Sequence, residues 1–252
     1  MNNQKLYRGV GLISKYHKSD HSSKRSWQLM LKPICASTEI ELTKWIEEKP
    51  VKNNQPKAIF ASCQRFGQGQ SGRIWHAPKG GVWVSAAMKR KGSCEYNSQL
   101  YGLAVALALV ERIERIGVKV KIKWPNDLVV DGQKLAGILP RLFFRGGKLR
   151  LLRVGVGLNV FNNVPKEGIS LKQIVGDKNM NINFWSSEVL VAIERSLDFL
   201  DDQEFICNQI EQRLCSKKYL DKETGFQWDI KGIDAIGRLI LMKEGEKRLL
   251  TN

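Results

Sequence analysis

The stretch KWPNDLVVDGQKLAGIL, residues 123–139, contains two strand-like runs on either side of Asp131 and Gly132. An Asp-Gly pair between two apolar runs is a strong signal for a tight β-hairpin turn. Lys134 lies within the second run, where a lysine that faces inward beside an anion is more expected than a solvated lysine. The stretch therefore predicts an antiparallel hairpin that carries a functional cation on its second strand.

Polar residues also mark the start of this hairpin. Asn126 and Asp127 directly follow Pro125, which fixes a bend at the end of the preceding strand. Asp127 could hold Mg²⁺, which usually takes only one or two protein carboxylates. The alternative is that Asp127 caps the turn, and this is the preferred interpretation when Asp127 is considered by itself.

The segments around the hairpin predict a long helix beside an antiparallel meander. Residues 97–117 are apolar on nearly every side and end at Gly117, as expected of a buried helix. Residues 118–124 alternate like a strand, and Gly146 and Gly147 predict a second hairpin. This order indicates an α+β fold, a mixed or antiparallel sheet with packed helices, rather than alternating β-α-β units. Further strands are expected at 58–63 and 80–88, and further helices at 185–201 and 203–214.

We expect three parts along the chain. Residues 1–32 are polar and basic and are predicted to form an N-terminal extension, in which His17 and His21 lie on a solvated loop. Residues 33–214 contain the long helices and the meander, and form the main domain. Residues 215–252 carry short strands separated by glycine-bearing turns, which predicts a small β domain.

The composition excludes several protein classes. With 252 residues, of which 42% are hydrophobic and 26% charged, the chain is typical of a soluble globular protein. Its longest apolar run, residues 103–110, is far shorter than the roughly 18–20 residues that span a bilayer. The N-terminus lacks the unbroken apolar core of a signal peptide, so we expect a cytoplasmic protein.

The cysteines and the net charge narrow the function further. The cysteines are odd in number and form no C-x-x-C pair, so we expect buried or idle thiols rather than a disulfide framework or a zinc site. The net charge of +16 favours an acidic partner: nucleic acid, a membrane surface, nucleotide phosphates or an acidic protein. The cysteines are Cys35, Cys63, Cys94, Cys207 and Cys215.

The stretch GQGQSGR, residues 67–73, has the G-x-G-x-x-G spacing of a dinucleotide-binding loop. That interpretation requires a helix that opens on the last glycine, whereas the following residues, RIWHAPKGG, contain helix breakers. We therefore expect a loop whose backbone N–H groups cradle an anion, with Arg73 as a fixed cation and Trp75 as a stacking face. A solvated charge and a core aromatic are the respective alternatives.

Three segments, in this order and spacing, resemble the biotin–protein ligase (biotin–[acetyl-CoA-carboxylase] ligase) family in its monofunctional form, without an N-terminal DNA-binding domain. They are CQRFGQGQSGRIWHAPKGGVWVS, KWPNDLVVDGQKLAGIL and VGVGLNV. The resemblance implies a class II synthetase-like catalytic domain at 33–214 and an SH3-like β domain at 215–252. It also implies a two-step, Mg²⁺-requiring reaction, in which biotin and ATP give biotinyl-5′-AMP and a lysine of a biotin carboxyl carrier protein, an acetyl-CoA carboxylase subunit, takes the biotinyl group.

The resemblance also implies roles for individual residues. Lys134 and Arg73 would be the catalytic cations, and Asp127 the metal ligand. The residues implied to bind ATP are Arg73, Trp75, Asn126, Lys134 and Asn159. The residues implied to bind biotin are Ser37, Thr38, Glu39, Gln64, Gly67, Gln68, Gly69, Gln70, Lys134 and Gly137.

The chain departs from the family pattern at four of its positions. Gln68 and Gln70 stand where the family loop usually has arginine, Glu39 replaces an asparagine, and Ala36 replaces an aspartate. Fewer arginines in the loop leave less positive charge against the adenylate. We therefore predict that this chain releases biotinyl-AMP more readily, or works more slowly, than arginine-bearing relatives.

Two other functions stay open. A lipoate- or octanoate-type acyl-protein ligase would have a similar catalytic fold. A basic nucleic-acid-binding protein rests on the net charge alone, because no basic motif interleaved with aromatic residues is visible. Residues 1–32 are too few for the usual DNA-binding domain, so we do not expect a DNA partner. We also expect no membrane partner. The sequence does not determine whether the protein forms an oligomer.

Overall fold

The computed structural model describes residues 3–21, 23–90, 97–176 and 180–251. The helices are α1 (Asn3–Ser19), α2 (Thr38–Glu48), α3 (Ser98–Glu114), α4 (Leu171–Val175), α5 (Ile182–Phe199) and α6 (Gln203–Arg213). The strands before α3 are β1 (Gln28–Lys32), β2 (Lys57–Ala61), β3 (Gln64–Gln68), β4 (Ile74–Ala77) and β5 (Val82–Met88). The strands after α3 are β6 (Lys121–Lys123), β7 (Asp127–Val130), β8 (Gln133–Arg145), β9 (Lys148–Leu158), β10 (Lys218–Leu220), β11 (Gln227–Ile233), β12 (Leu239–Lys243) and β13 (Glu246–Leu250).

The main sheet has seven strands in the order β1-β2-β5-β9-β8-β7-β6. The pair β1–β2 is parallel and the other neighbours are antiparallel, so the sheet is mixed. A separate antiparallel sheet contains β10 to β13, and β3 pairs with β4 in a two-stranded ribbon. The predicted α+β class and the small C-terminal sheet are therefore confirmed.

Both predicted hairpins are present. At the first, Asp131 and Gly132 have φ values of 48° and 78°, as a two-residue turn between twisted strands requires. At the second, Gly146 and Gly147 have φ values of 58° and 68°. The first turn sets the register of β7 against β8, in which Asp127 lies opposite Gly137. The hairpin thereby brings Lys134 back beside the polar start of β7.

Helix α3 forms the centre of the hydrophobic core, as its unbroken apolar run predicts. Asn97 caps it by accepting a hydrogen bond from the Leu100 N–H at 2.7 Å. Nearly every residue from Leu100 to Val110 is fully buried. The helix contacts β8 of the main sheet and also α5 and α6, so it covers one face of the sheet.

The N-terminal residues do not form an extension, which corrects the prediction for 1–32. Strand β1 is the edge strand of the main sheet, and α1 packs on α5 with Ile13 only 2% exposed. The solvated loop predicted for His17 is also wrong, because His17 is buried in α1 and its Nε2 lies 2.9 Å from Glu194 Oε1. His21 is exposed, as predicted.

Most of the remaining elements agree with the prediction, with small shifts at their ends. The strand expected at 118–124 is limited to β6, and the helix expected at 185–201 begins earlier, at Ile182. Cys35, Cys63, Cys207 and Cys215 are free thiols, and Cys94 lies outside the described residues. Within the described ranges, none of the helices combines the length and the apolar character needed to cross a membrane.

Candidate active site

A cavity of about 140 Å³ lies between the main sheet and the ribbon formed by β3, β4 and their connecting turn. We call this segment, residues 64–77, the ribbon. A cavity of about this size holds a single small ring. Thirteen residues named from the sequence line it together: Ser37, Thr38, Glu39, Gln64, Gln68, Gly69, Gln70, Arg73, Trp75, Asn126, Asp127, Lys134 and Gly137.

Two of the residues named from the sequence do not line the cavity. Gly67 lies in β3, where a Cβ atom would come within 2.5 Å of the Trp75 carbonyl oxygen, so it permits close pairing with β4. Asn159 is 5% exposed and donates from Nδ2 to the Lys134 carbonyl at 3.2 Å. Asn159 therefore supports the strand that carries Lys134, and its predicted contact with ATP stays a prediction.

The inner end of the cavity is polar. Ser37 caps α2 and accepts a hydrogen bond from the Glu39 N–H at 3.3 Å. Gln64 Oε1 accepts from the Thr38 N–H at 2.7 Å and from its hydroxyl at 3.1 Å. The Thr38 hydroxyl also lies 2.8 Å from Ser85 Oγ. We call Thr38, Glu39, Gln64 and Ser85 the polar floor, since all four line the cavity.

Glu39 is the charged member of the polar floor. The residue is 6% exposed and its Oε2 accepts a hydrogen bond from Arg153 Nη2 at 3.1 Å. Arg141 Nε lies 3.8 Å from the same oxygen. Burial lowers the pKa of the Arg153 guanidinium, and Glu39 opposes that shift. The guanidinium keeps its proton, so Glu39 of the polar floor forms a buried ion pair with Arg153 behind it.

Lys134 lies at the opposite end of the cavity from Ser85, at the polar start of β7. Its Nζ is 2.7 Å from Asp127 Oδ1 and 4.8 Å from the centre of the Trp75 ring. The lysine side chain is 36% exposed. The inward lysine predicted from the sequence is therefore present, and the anion beside it is the carboxylate of Asp127.

Trp75 lies flat on the main sheet because the sheet has glycine beneath it. A Cβ atom at Gly157 would be 2.5 Å from the Trp75 ring, and one at Gly137 would be 2.6 Å from it. Both distances are far shorter than a carbon–carbon contact allows. The indole thus covers the sheet and forms one wall of the cavity. It packs on the sheet like a core aromatic and also lines the cavity, so it combines the two roles considered from the sequence.

The GQGQSGR stretch forms the turn of the ribbon. Gln70–Gly72 make a short 3₁₀ turn in which Ser71 and Gly72 have positive φ values of 53° and 74°. Strand β4 follows directly, so no helix opens on the last glycine and the dinucleotide interpretation is excluded. Arg73 is exposed at this turn and its Nε donates to the Gln70 carbonyl at 3.3 Å.

The sequence did not single out several lining residues. Ser85 is fully buried between Val84 and Ala86 in an apolar strand, and the sequence there indicates only a core strand. A small polar residue inside a buried strand is the one clue that could have identified it. The other lining residues that were not among the predicted site residues are Ile74, Val84, Ile138, Leu139, Gly155, Val156 and Gly157.

The donor set for a metal ion is small. Across the described ranges, no three His, Cys, Asp or Glu residues are grouped so that they could hold one. Asp127 is the carboxylate at the open end of the cavity, and Lys134 shares it. This set fits Mg²⁺ only if substrate phosphates and water supply most of its ligands, which is the usual arrangement for that ion.

Comparison with known proteins gives a family match for the segment that lines the cavity. Residues 38–159 match the model of the biotin/lipoate A/B protein ligase family. The "bifunctional ligase/repressor BirA" of Bacillus subtilis (strain 168) is 31% identical over 185 residues, which is 68% of this chain and 57% of that protein. The biotin–[acetyl-CoA-carboxylase] ligase of Paracoccus denitrificans is 32% identical over 105 residues, 40% of this chain and 43% of that protein.

The fold agrees with this relationship. The structure of the Aquifex aeolicus biotin protein ligase in complex with biotin and ATP has a TM-score of 0.70 and 23% identity, and the match covers 88% of this chain and 95% of that one. The chain spans 57% of the length of the Bacillus protein. The matched segment 38–159 contains nearly all the polar lining of the cavity. The segment 38–159 is therefore the part of the chain that matches the biotin/lipoate A/B protein ligase family.

Proposed function

We propose that the chain is an ATP-dependent ligase that attaches biotin to a lysine of a biotin carboxyl carrier protein through biotinyl-5′-AMP. The observation that carries this proposal is a ring-sized cavity with a polar floor at one end and Lys134 at the other. A ligand with a polar ring and a carboxylate on a short chain matches those two ends. The names of the related proteins support the same choice.

In the first step, a carboxylate oxygen of biotin attacks the α-phosphorus of ATP, and the bond to the leaving pyrophosphate breaks. Negative charge accumulates on the phosphate oxygens as this happens, so fixed cations at that point lower the barrier. Lys134 is suited to this role because its Nζ lies at the open end of the cavity. Arg73, exposed on the ribbon turn, is proposed to approach the same phosphates.

The nucleotide is proposed to lie at the open end, against Trp75 and Asn126. Asn126 has a fixed orientation, because its Nδ2 donates to the Ile138 carbonyl at 2.8 Å. Asp127 would hold Mg²⁺ that arrives with ATP, and the ion would neutralise phosphate charge there. Asn159 acts by holding the Lys134 backbone, as its hydrogen bond to that carbonyl supports.

In the second step, the amine of the carrier lysine attacks the acyl carbon, and AMP leaves with the electrons of the broken C–O bond. The ribbon is proposed to shield the adenylate from water until then. The net charge of +16 would attract an acidic carrier and the nucleotide. The need for ATP favours the cytoplasm as the compartment.

The reaction is tested with purified protein, ATP, Mg²⁺ and a biotin carboxyl carrier domain, read by intact mass. We expect the carrier to gain one biotinyl group with biotin and no mass with lipoate or octanoate. A matched carrier whose target lysine is changed to arginine should stay unmodified. Lipoyl or octanoyl transfer without biotinyl transfer would replace this proposal with the acyl-protein ligase alternative.

A further inference from the structure

Glu39 presents one carboxylate oxygen to the cavity without a hydrogen-bond donor. Its Oε2 is paired with Arg153, whereas its Oε1 is buried and accepts no hydrogen bond from any residue within the described ranges. The side chain is 7% exposed and lines the cavity. A buried carboxylate oxygen without a donor is unfavourable, so a ligand that brings a donor is selectively stabilised there.

The surroundings of this oxygen define where the donor must lie. Gly155 faces it from β9, and a Cβ atom there would be 3.5 Å from Glu39 Oε1 and 3.8 Å from Ser85 Oγ. The space left open by this glycine is therefore bordered by the carboxylate and by the hydroxyl of Ser85. A ligand ring that enters it meets acceptors on both sides.

Arg153 fixes the carboxylate in this position. Its Nη2 donates to Glu39 Oε2 at 3.1 Å and to the Glu39 carbonyl at 3.0 Å. Its Nη1 donates to Thr43 Oγ1 at 2.9 Å, and that hydroxyl also donates to the Glu39 carbonyl at 2.9 Å. These contacts lock the first turn of α2 and leave Oε1 as the free acceptor.

We infer that Glu39 Oε1 accepts a hydrogen bond from a ring N–H of the biotin cyclic urea, and that Arg153 is the positioning residue for this contact. A carboxylate accepts and does not donate, so the contact selects a ring that carries N–H groups. The dithiolane of lipoate and the chain of octanoate have none. The inference rests on the proposed function and adds to it the group that makes the cavity specific.

The first test removes the ion pair without leaving one charge buried. The double variant Glu39→Met with Arg153→Met replaces two buried charges with apolar side chains of similar length, which is often neutral for stability. Its unfolding temperature is measured first. Binding of biotin and of its two mono-N-methylated analogues is then measured by calorimetry, with Glu41→Gln on the same helix as the control for a lost carboxylate.

We expect the double variant to bind biotin about 10- to 100-fold more weakly than the wild type, the range for a hydrogen bond to a charged group. Methylation of the contacting nitrogen should weaken binding to the wild type and to Glu41→Gln by a similar factor, and should matter much less in the double variant. Comparing the two proteins cancels any steric effect of the methyl group. An equal methylation effect in the wild type and the double variant overturns the inference.

The second test separates positioning from a general structural role. In biotin-dependent ATP–pyrophosphate exchange, Arg153→Met should raise the KM for biotin at least about tenfold and leave the KM for ATP unchanged. Arg153→Lys, which keeps a cation beside Glu39, should recover part of the loss. Parallel changes in both KM values, or no recovery by lysine, contradict the positioning role. A wild type that neither binds nor adenylates biotin overturns the proposed function as well, which distinguishes the two failures.

Discussion

The main sheet and the ribbon form opposite walls of the same cavity, but they differ in how they are held. On the sheet, Ile138 and Val156 are 1% and 3% exposed and pack against the core. On the ribbon, Phe66 and Ile74 are 65% and 79% exposed. The ribbon strands lie outside the main sheet, and β3 is tied to the segment before α2 by hydrogen bonds from the Arg65 and Phe66 N–H groups to the Cys35 and Ala36 carbonyls. The difference indicates that the sheet wall is firmly packed and that the ribbon wall is held more loosely.

The two walls meet around Trp75 and Gln68. Trp75 rests on Gly137 and Gly157, and Arg141 Nη2 lies 3.5 Å from Gln68 Oε1. A segment with few buried apolar contacts opens at a low free-energy cost compared with the core. The ribbon is therefore the wall that can move aside for ligand entry, and the following predictions test this division.

The largest effect is expected at Lys134. Lys134→Met should lower kcat/KM for biotin-dependent pyrophosphate exchange by about 10³-fold, because it removes a fixed cation from the reacting phosphate. The unfolding temperature should change little, since the lysine is partly exposed. Lys148→Met, at the exposed turn of the second hairpin, is the matched control. A loss of less than tenfold at Lys134 would contradict its catalytic role.

The same substitution on the two walls should give different stabilities. Ile138→Ala is expected to lower the free energy of unfolding by about 2–5 kcal/mol, because it leaves a void in the core. Ile74→Ala, on the ribbon, should change it by less than about 0.5 kcal/mol. Urea unfolding measures both. Equal losses would mean that the ribbon is as firmly packed as the sheet.

The contact between the walls should depend on Gly157. Gly157→Val places side-chain atoms where the Trp75 ring lies, and should cost about 1–3 kcal/mol through overpacking or displacement of the ring. The KM values for biotin and ATP should both rise in steady-state assays. Gly11→Ala in α1, where no atom lies within 4 Å of the new methyl group, is the control and should not destabilise. An unchanged tryptophan fluorescence spectrum in Gly157→Val would argue against ring displacement.

The smallest effect is expected on the ribbon turn. Gln70→Arg should slow release of biotinyl-AMP about two- to fivefold, because one partly exposed charge pair contributes up to about 1 kcal/mol. Rapid dilution with trapping of free adenylate measures the release rate. Gln227→Arg, on the small sheet, adds the same charge away from the cavity and should have no effect. If the rates for Gln70→Arg and the wild type coincide, the predicted leakiness of this loop is wrong.

Local sequence signals predicted much of the fold, whereas the family resemblance predicted which residues would gather at the candidate site. The Asp131–Gly132 turn determines the register that returns Lys134 to Asp127. The uninterrupted apolar run of α3 identified the core helix. In each case, residues within one turn or one hairpin carry the information, so a short window of sequence is sufficient.

The sequence could not predict contacts between distant segments. His17 is buried by Glu194, which is 177 positions away, and a polar stretch around a histidine gives no sign of such a partner. Arg153 lies in a strand, and only the fold shows that it holds Glu39. Ser85 belongs to the polar floor because its hydroxyl meets the Thr38 hydroxyl of α2, a contact that its own strand does not reveal. These features depend on tertiary packing.

The turn at Gly237 has a consequence for truncation experiments. Its carbonyl oxygen accepts hydrogen bonds from Trp124 Nε1 at 2.9 Å and from Gln99 Nε2 at 2.5 Å. Trp124 lies close in sequence to Asn126, and Gln99 lies in the first turn of α3, so the turn of the small C-terminal sheet supports the segment that leads to Asn126. A shortened chain that lacks this sheet would lose the acceptor of both hydrogen bonds. If the shortened chain were inactive, the loss of these two hydrogen bonds would be a sufficient explanation. The inactivity would therefore not demonstrate that the C-terminal sheet recognises the carrier.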